Sequence, residues 1–440
     1  MLRKYFFLNN DCFLIKGALR GAIYNLNSGN VFSVNENGVR ILEMLDNGIT
    51  LPQVLSLNRN ITKSNLIAYL KTLQEKGLGN FNEAKTNKRM EKIKIDSMLK
   101  YILHLELTTA CNLRCLHCYN ESSIDQFSKK NNQVSLSKWK SAIKDAYEMN
   151  CRRIQFIGGE PFLKRKLMFE LINYAKHLGY PSIEVSSNGT LITNADFEYL
   201  KNIGVGLAFS FYSVDYQAHD LITTQKGSWN KTLNTIRNAV KMGIPLRVSV
   251  VAMKQNEKDI KRTVDFLKSI GIQNVKSTAI EPSGRGCNTN LITTDILSKQ
   301  VFGRPYFAKI NKNIFWRNKT GHNCFMEQMC IGSDGSVYPC LAEREISYGN
   351  IMTESKSFRE IFLSKTAKKI RGLSKDNIEI CKDCEYRYCC FDCRVRAWDF
   401  LKNNFHSKPW WCSYNPYKGT WNNKETAIKG GKEKWERVLI

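Results

Sequence analysis

The 440 residues predict an α/β chain built in three parts. A partial (β/α)6, TIM-like barrel follows a winged-helix-like α+β domain and precedes a cysteine-rich domain. Three observations carry this reading. Strand-like and helix-like runs alternate through the middle of the chain; short strand-like runs followed by helices fill the first 85 residues; and nine of the 15 cysteines crowd between Cys324 and Cys412.

Residues 1–85 read as a separate unit. KYFFL, CFLIKG, AIYNL and VFSV are short strand-like runs broken by Asn, Gly and Ser. Helical patterns follow over Glu36–Leu45 and Ser64–Lys76, the second with Leu66, Ile67, Leu70 and Leu73 on one face. Strands followed by helices in so short a span suggest a winged-helix-like fold. It carries no dense basic helix of the kind that reads DNA. A charged, apolar-poor stretch, Glu83–Lys94, then links it to the rest.

From residue 98 to 285 the pattern is β-α repeats. Strands are expected at Leu103–Leu107, Arg153–Ile157, Ser182–Ser186, Gly206–Ser210, Arg247–Val251 and Asn274–Thr278, with helices such as Leu136–Met149, Trp229–Met242 and Glu257–Ile270 between them. Repeats at this spacing imply a parallel sheet, closed or partly closed as a barrel. Such folds bind ligands at the C-terminal ends of their strands, and the chemistry-bearing motifs fall there. After the first strand comes CNLRCLHCYN, with Cys111, Cys115 and Cys118. Three thiolates can take three corners of an iron–sulfur cube, leaving one iron open to an outside ligand. A structural zinc or a redox pair is the alternative, although zinc sites normally come as paired CxxC units. The second strand ends in Gly158-Gly159-Glu160-Pro161. Paired glycines let backbone come close to a ligand, and the carboxylate beside them can accept from an ammonium. Ser187-Asn188-Gly189 ends the third strand and Ser210 the fourth; ordinary turn chemistry would also explain the Ser-Asn-Gly string.

Behind the barrel, residues 320–415 hold Cys324, Cys330 and Cys340, then Cys381, Cys384, Cys389, Cys390, Cys393 and Cys412; residues 416–440 form a tail. Ser333–Ser336 reads as a hairpin turn. Two structural zincs would use eight of these thiols and rival an iron–sulfur reading on spacing alone. Cys12, Cys151, Cys287 and the redundant member of the Cys389-Cys390 pair are most simply small buried hydrophobes.

Composition sets limits. There is no apolar run long enough to span a membrane and no signal-peptide pattern in MLRKYFFLNNDCFLIKG, so a cytoplasmic protein is expected. In that reducing setting clustered cysteines mean metal or redox chemistry. The formal charge of +26 is spread along the whole chain without a basic helix or patch, which disfavours nucleic acid and suits an acidic peptide or protein.

The cysteine triplet and Gly158–Pro161, one β-α-β unit apart, resemble the radical S-adenosylmethionine (SAM) superfamily. The resemblance implies that Cys111, Cys115 and Cys118 hold a [4Fe–4S] cluster whose open iron chelates the amino and carboxylate groups of SAM. It implies that Gly158, Gly159, Glu160 and Pro161 bind the SAM amino group. His117, where the family usually has an aromatic residue, would lie against adenine, and Ser187, Asn188 and Ser210 would contact ribose or carboxylate. Residues 320–415 resemble the SPASM extension, which binds two auxiliary [4Fe–4S] clusters. By position, Cys324, Cys330, Cys340 and Cys393 would hold the first, and Cys381, Cys384, Cys390 and Cys412 the second, with Cys389 spare. The N-terminal domain is similar in pattern to the RRE-like domains that bind a precursor's leader as an added strand. The whole order resembles maturases of ribosomally synthesised peptides, most of all SPASM maturases encoded beside ATP-grasp ligases. The implied activity is hydrogen abstraction from a precursor peptide by a 5′-deoxyadenosyl radical, closing a thioether or carbon–carbon cross-link. A flavodoxin or ferredoxin is the implied electron donor. Sulfatase-maturase-like oxidation of a Cys or Ser side chain is an alternative of the same class; a non-catalytic metal-containing binding protein is one of another class.

Overall fold

The structure, a computed structural model, describes residues 4–85, 101–127, 134–280, 283–291, 293, 307, 309–397, 405–409 and 412–421. The expected linker past residue 85 and the tail past residue 421 lie outside the described residues.

The N-terminal unit contains β1 (Tyr5–Leu8), β2 (Cys12–Lys16), β3 (Gly21–Asn25), β4 (Val31–Val34), helices α1 (Glu36–Asp46), α2 (Leu51–Leu57) and α3 (Lys63–Glu75), and β5 (Gly79–Asn82). Strands β2-β3-β4 make an antiparallel sheet, and β1 pairs separately with β5. Each helix starts on a side-chain cap: Asn35 accepts from Gly38 N–H, Thr50 forms a capping box with Gln53, and Thr62 accepts from Asn65 N–H. Leu42, Leu45, Val54, Leu66, Leu70 and Leu73 bury against Phe6, Leu8 and Ile23. Helix α2 and strand β5 were not expected; each is too short to show a hydrophobic period.

The barrel strands are β6 (Tyr101–Glu106), β7 (Cys151–Ile157), β8 (Ser182–Ser187), β9 (Gly206–Ser210), β10 (Leu246–Ala252) and β11 (Asn274–Ala279), parallel and in sequential order. The connecting helices are α4 (Leu136–Glu148), α5 (Arg165–His177), α6 (Asn194–Asn202), α7 (Tyr216–Thr223), α8 (Ser228–Lys241) and α9 (Ile260–Ser269). All six expected strands are present, with no end moved by more than two residues. The helix expected from Glu257 begins as a 3-10 turn and becomes α-helical only at Ile260. Alternation sorts the two faces of the sheet. Leu103, Leu105, Ile154, Phe156, Ile183, Val185, Val248 and Val250 join the helix-covered core with Trp139, Ile143, Leu171 and Ile236. The opposite parity lines the inside with a polar row. His104 Nδ1 meets Gln155 Oε1 at 2.8 Å, Gln155 donates to Glu184 at 2.6 Å, and Arg247 grips Glu184 through Nε and a terminal nitrogen at 2.9 and 2.8 Å. Burial holds the His104 imidazole down at about 4, so it is neutral.

The C-terminal unit holds α10 (Lys312–Thr320), β12 (Gln328–Ile331), β13 (Ser336–Tyr338), β14 (Gly349–Asn350), α11 (Phe358–Phe362), α12 (Lys365–Arg371), α13 (Arg394–Ala397), β15 (Tyr414–Asn415) and β16 (Thr420–Trp421). The expected hairpin turn is there: Gly332 N–H donates to Ser336 O, and Gly335 takes the left-handed φ of 83°. Strand β12 lies parallel to β6, so β12-β13-β14 extend the barrel sheet to nine strands. The N-terminal unit packs on the C-terminal one through Ile15, Ala22, Tyr24 and Leu26 against Phe315, Trp316, Tyr388 and Cys389. Tyr24 Oη donates to Glu385 O at 2.8 Å, and Ala18 N–H to Asp383 O at 2.8 Å.

Candidate active site and thiol clusters

The loop after β6 carries the cysteine triplet across the C-terminal ends of the barrel strands. Cys111, Cys115 and Cys118 lie close enough to act electrostatically on one another, and burial pushes the Cys111 and Cys115 thiols up to about 12. Thiols in that state ionise only with a cation beside them. Sulfur acceptors are already supplied with donors: Leu113 N–H to Cys111 Sγ and Ser122 N–H to Cys118 Sγ, both at 3.4 Å. Such bonds support cluster thiolates.

The glycine pair explains how the loop is seated. Gly159 N–H donates to Thr108 O at 2.7 Å and Glu160 N–H to Ala110 O at 2.9 Å. A Cβ on Gly159 would fall 2.1 Å from Ala110 O, and one on Gly158 would meet Thr108 O at 2.5 Å. The close approach is thus to the chain leading into Cys111. Pro161 opens a 3-10 turn, where its missing N–H is harmless. Glu160 is fully buried at the centre of the expected residues. Its Oε1 accepts from Phe162 N–H at 3.1 Å and Ser187 Oγ at 2.9 Å, and its Oε2 from Asn188 N–H at 2.9 Å. Asn188 Nδ2 in turn lies 3.7 Å from Cys111 Sγ. Burial lifts the Glu160 carboxyl to about 7 against those hydrogen bonds. Oε2, with one donor, retains capacity for an ammonium.

His117 stands edge-on to Tyr212 at 4.9 Å, and its Nδ1 is buried without a partner. A flat ring with an unfilled polar atom suits an aromatic base with hydrogen-bonding edges. Ser210, at the end of β9, contacts the Tyr212 hydroxyl, which reaches Cys115. The expected residues therefore converge on one place. Arg285 was missed. Its Nε donates to Cys115 O and a terminal nitrogen to Ser122 O, both at 2.8 Å, and its N–H donates to Cys118 O at 3.0 Å. Gly284 beside it has φ 53°, and a Cβ there would strike Tyr119 O at 2.5 Å. Arg285 sits in the local string SGRGC, whose glycines mark a tight loop but not what the guanidinium binds; Cys287 in the same string is half-buried with Glu121 as its charged neighbour.

The C-terminal thiols fall into two sets. Cys324, Cys340 and Cys393 pack together around Phe325 and Val395. Cys381, Cys384, Cys390 and Cys412 line one cavity, closed by Phe307, Tyr386, Tyr414 and Trp421. Buried Lys375 donates to Cys390 O at 2.6 Å and offsets negative charge beside that cavity. Cys389 turns the other way, its Sγ 3.6 Å from Tyr24 Oη. Cys330 lies on β12 opposite Tyr338, with Arg344 and Glu106 as its charged neighbours. Among the described residues no three His, Cys, Asp or Glu side chains converge on one point as the shell of a single ion would. A cube asks for less convergence, because each corner takes its own thiolate.

Residues 105–267 match the Radical SAM superfamily, and residues 324–385 match the SPASM iron–sulfur cluster-binding domain. The chain belongs to the radical SAM superfamily and is an enzyme with a SPASM domain, which implies [4Fe–4S] clusters and SAM. It is 27% identical over 347 residues to the AdoMet-dependent heme synthase of Methanosarcina barkeri, covering 71% of this chain and 96% of that one. It is 27% identical over 319 residues to AlbA, the antilisterial bacteriocin subtilosin biosynthesis protein of Bacillus subtilis, covering 69% and 68%. SuiB of Streptococcus suis, crystallised bound to the precursor peptide SuiA, shares the fold with a TM-score of 0.54 at 14% identity, over 92% of this chain and 98% of that one. No helix among the described residues is long and apolar enough to cross a membrane.

Proposed function

We propose that this enzyme modifies a ribosomally synthesised precursor peptide, whose leader it holds as an added strand on the free edge of β4. One observation carries the reading. The Asn25–Asn30 hydrogen bond sets the β3-β4 register, so Ile23↔Phe32 and Gly21↔Val34 are the bonded pairs. The backbone groups of Val31 and Ser33 therefore point away from β3. They open onto a cleft of about 500 Å³, lined on its other side by Phe307, Tyr386, Tyr414 and Trp421. Arg20 and Lys309 also line it, favouring an acidic segment. A peptide strand there would gain main-chain bonds from β4 and aromatic contact from the far wall.

Likeness to SuiB extends over 92% of the chain, too much to leave out the whole N-terminal unit. When bound, the reduced cluster and SAM supply a 5′-deoxyadenosyl radical that takes hydrogen from an unactivated carbon. The chain's own part is positioning. Glu160 would hold the SAM ammonium, Ser187 and Asn188 orient Glu160, His117 flanks the adenine, and Arg285 fixes the loop that carries the triplet. The outcome on the peptide would be an oxidative cross-link, thioether or carbon–carbon: a flavodoxin or ferredoxin would supply the one electron that SAM cleavage uses, one hydrogen atom would leave to 5′-deoxyadenosine, and the second would leave as a proton with its electron taken up by an auxiliary cluster.

The test is anaerobic incubation of the reconstituted enzyme with SAM, reductant and the precursor encoded beside it. A cross-link appears in mass spectrometry as the loss of two hydrogens; no mass change and no 5′-deoxyadenosine would sink the enzyme's proposed role. Ser33→Pro removes the outward N–H together with the hydroxyl that accepts from Arg20 at 3.0 Å, and leaves the backbone pairs of β3 and β4 their hydrogen bonds. Leader affinity should fall roughly tenfold or more, and unchanged affinity would remove β4 as the docking edge.

A further inference from the structure

Two cavities of the molecule share a wall. Phe307, Tyr386, Tyr414 and Trp421 close the cavity of Cys381, Cys384, Cys390 and Cys412, and the same four side chains form the far side of the β4 cleft. Their rings touch in a closed circuit. Centroids lie 5.2 Å apart for Phe307 and Tyr386, 5.4 Å for Tyr386 and Tyr414, 4.7 Å for Tyr414 and Trp421, and 6.3 Å for Trp421 and Phe307. The partition is one side chain thick. The backbone repeats the division: Cys389 lines the cleft, while the next residue, Cys390, lines the thiol cavity and bridges to Phe307. The wall is assembled from parts that do not hold themselves. Tyr414 and Trp421 face each other across β15-β16, a ladder of two residues per strand. So short a hairpin is marginal alone, and it keeps its place through what packs on its two sides. On one side that is the thiol set, since Cys412 stands two residues before Tyr414. On the other it is the cleft and what fills it.

We infer that the β4 cleft and the second auxiliary cluster are coupled sites. A leader strand in the cleft holds the aromatic wall over the cluster, and the cluster, through Cys412, steadies the wall against which the leader packs. Rings held on both faces exclude water from the thiolates on one side and offer the peptide an ordered apolar surface on the other. Such coupling is reciprocal, so each occupant raises affinity for the other by the same factor. The cluster is thereby best protected when a substrate is in place. The inference rests on the leader reading of β4 and on the cluster reading of these four thiols.

The test has two arms, neither of which reads turnover. In a Cys111→Ala, Cys115→Ala, Cys118→Ala variant only auxiliary clusters remain, and iron release to a chelator is followed as the loss of each cluster's electron paramagnetic resonance signal. The probe is the leader segment of the precursor encoded beside the enzyme. At saturation it should slow release about fivefold or more at one of the two clusters and leave the other unchanged. No slowing, or equal slowing at both, overturns the inference. In the second arm Trp421→Ala thins the wall without touching a thiol. It should weaken the labelled leader about fivefold or more by fluorescence anisotropy, and speed iron release from that same cluster. A change in only one of the two would mean that the sites do not share this wall. The first arm keeps the native wall, and so decides even if Trp421→Ala fails to fold. Wild-type enzyme that binds no leader removes the β4 reading, and a chain that takes up no iron removes the cluster reading. Leader binding without protection of a cluster removes the coupling alone.

Discussion

Glu160 shows how much a single side chain holds here. It is fully buried, orders Ser187 and Asn188, and is lifted to about 7 by that burial. A raised carboxyl is neutral below its folded value, so its charge is available to an ammonium only above about pH 7. SAM affinity of the loaded enzyme should therefore fall by up to about tenfold per pH unit below 7. Glu160→Gln should bind SAM roughly 10- to 100-fold more weakly at pH 8 and flatten the profile. Equilibrium binding between about pH 6 and 8 checks both; a flat wild-type profile would count against this role. Glu160 was legible because its motif is contiguous, as was the cysteine triplet. Arg285 was not, because what it clamps are carbonyls at Cys115 and Ser122, far away in sequence. Nothing local marks an arginine that binds backbone. Cys330 was legible as a cysteine but not as to its direction, which only the β6-β12 register decides.

At the scale of elements, the strand-end glycines fix how the triplet loop lies. Gly159→Ala would place a methyl 2.1 Å from Ala110 O, and backbone cannot yield as a side-chain tip can. The variant should lose roughly 3 kcal/mol or more of stability, seen in its denaturation midpoint, and with it the iron of the first cluster. A wild-type midpoint would mean that the loop has slack. The barrel's strands were readable because both faces leave a trace in the sequence: aliphatic residues toward the helices and polar ones inward. The N-terminal unit was half readable. Leu66, Leu70 and Leu73 announced α3, whereas α2 rests on a capping box and one turn of burial, Leu51 and Val54.

Across the whole molecule, the barrel and the C-terminal unit are joined by a shared sheet and by the Arg344–Glu106 pair. Glu106 is 2% exposed, so removing Arg344 would strand a buried charge. Arg344→Leu should cost roughly 3–5 kcal/mol, and the Glu106→Leu, Arg344→Leu double variant should recover most of it. Equal losses in single and double variants would show that the strut acts through packing alone. Neither link could be read from the sequence, since each joins positions more than two hundred residues apart.

That shared sheet also sets a timetable for biosynthesis. One edge of β6 pairs with β7, but its other edge waits for β12, whose Gln328 meets Ile102. At ribosomal speed the wait lasts roughly 10 to 45 seconds. During it the nascent barrel presents a bare strand edge able to pair with a neighbouring chain. Yield in a heterologous host should therefore depend on translation rate and chaperone supply as much as on iron.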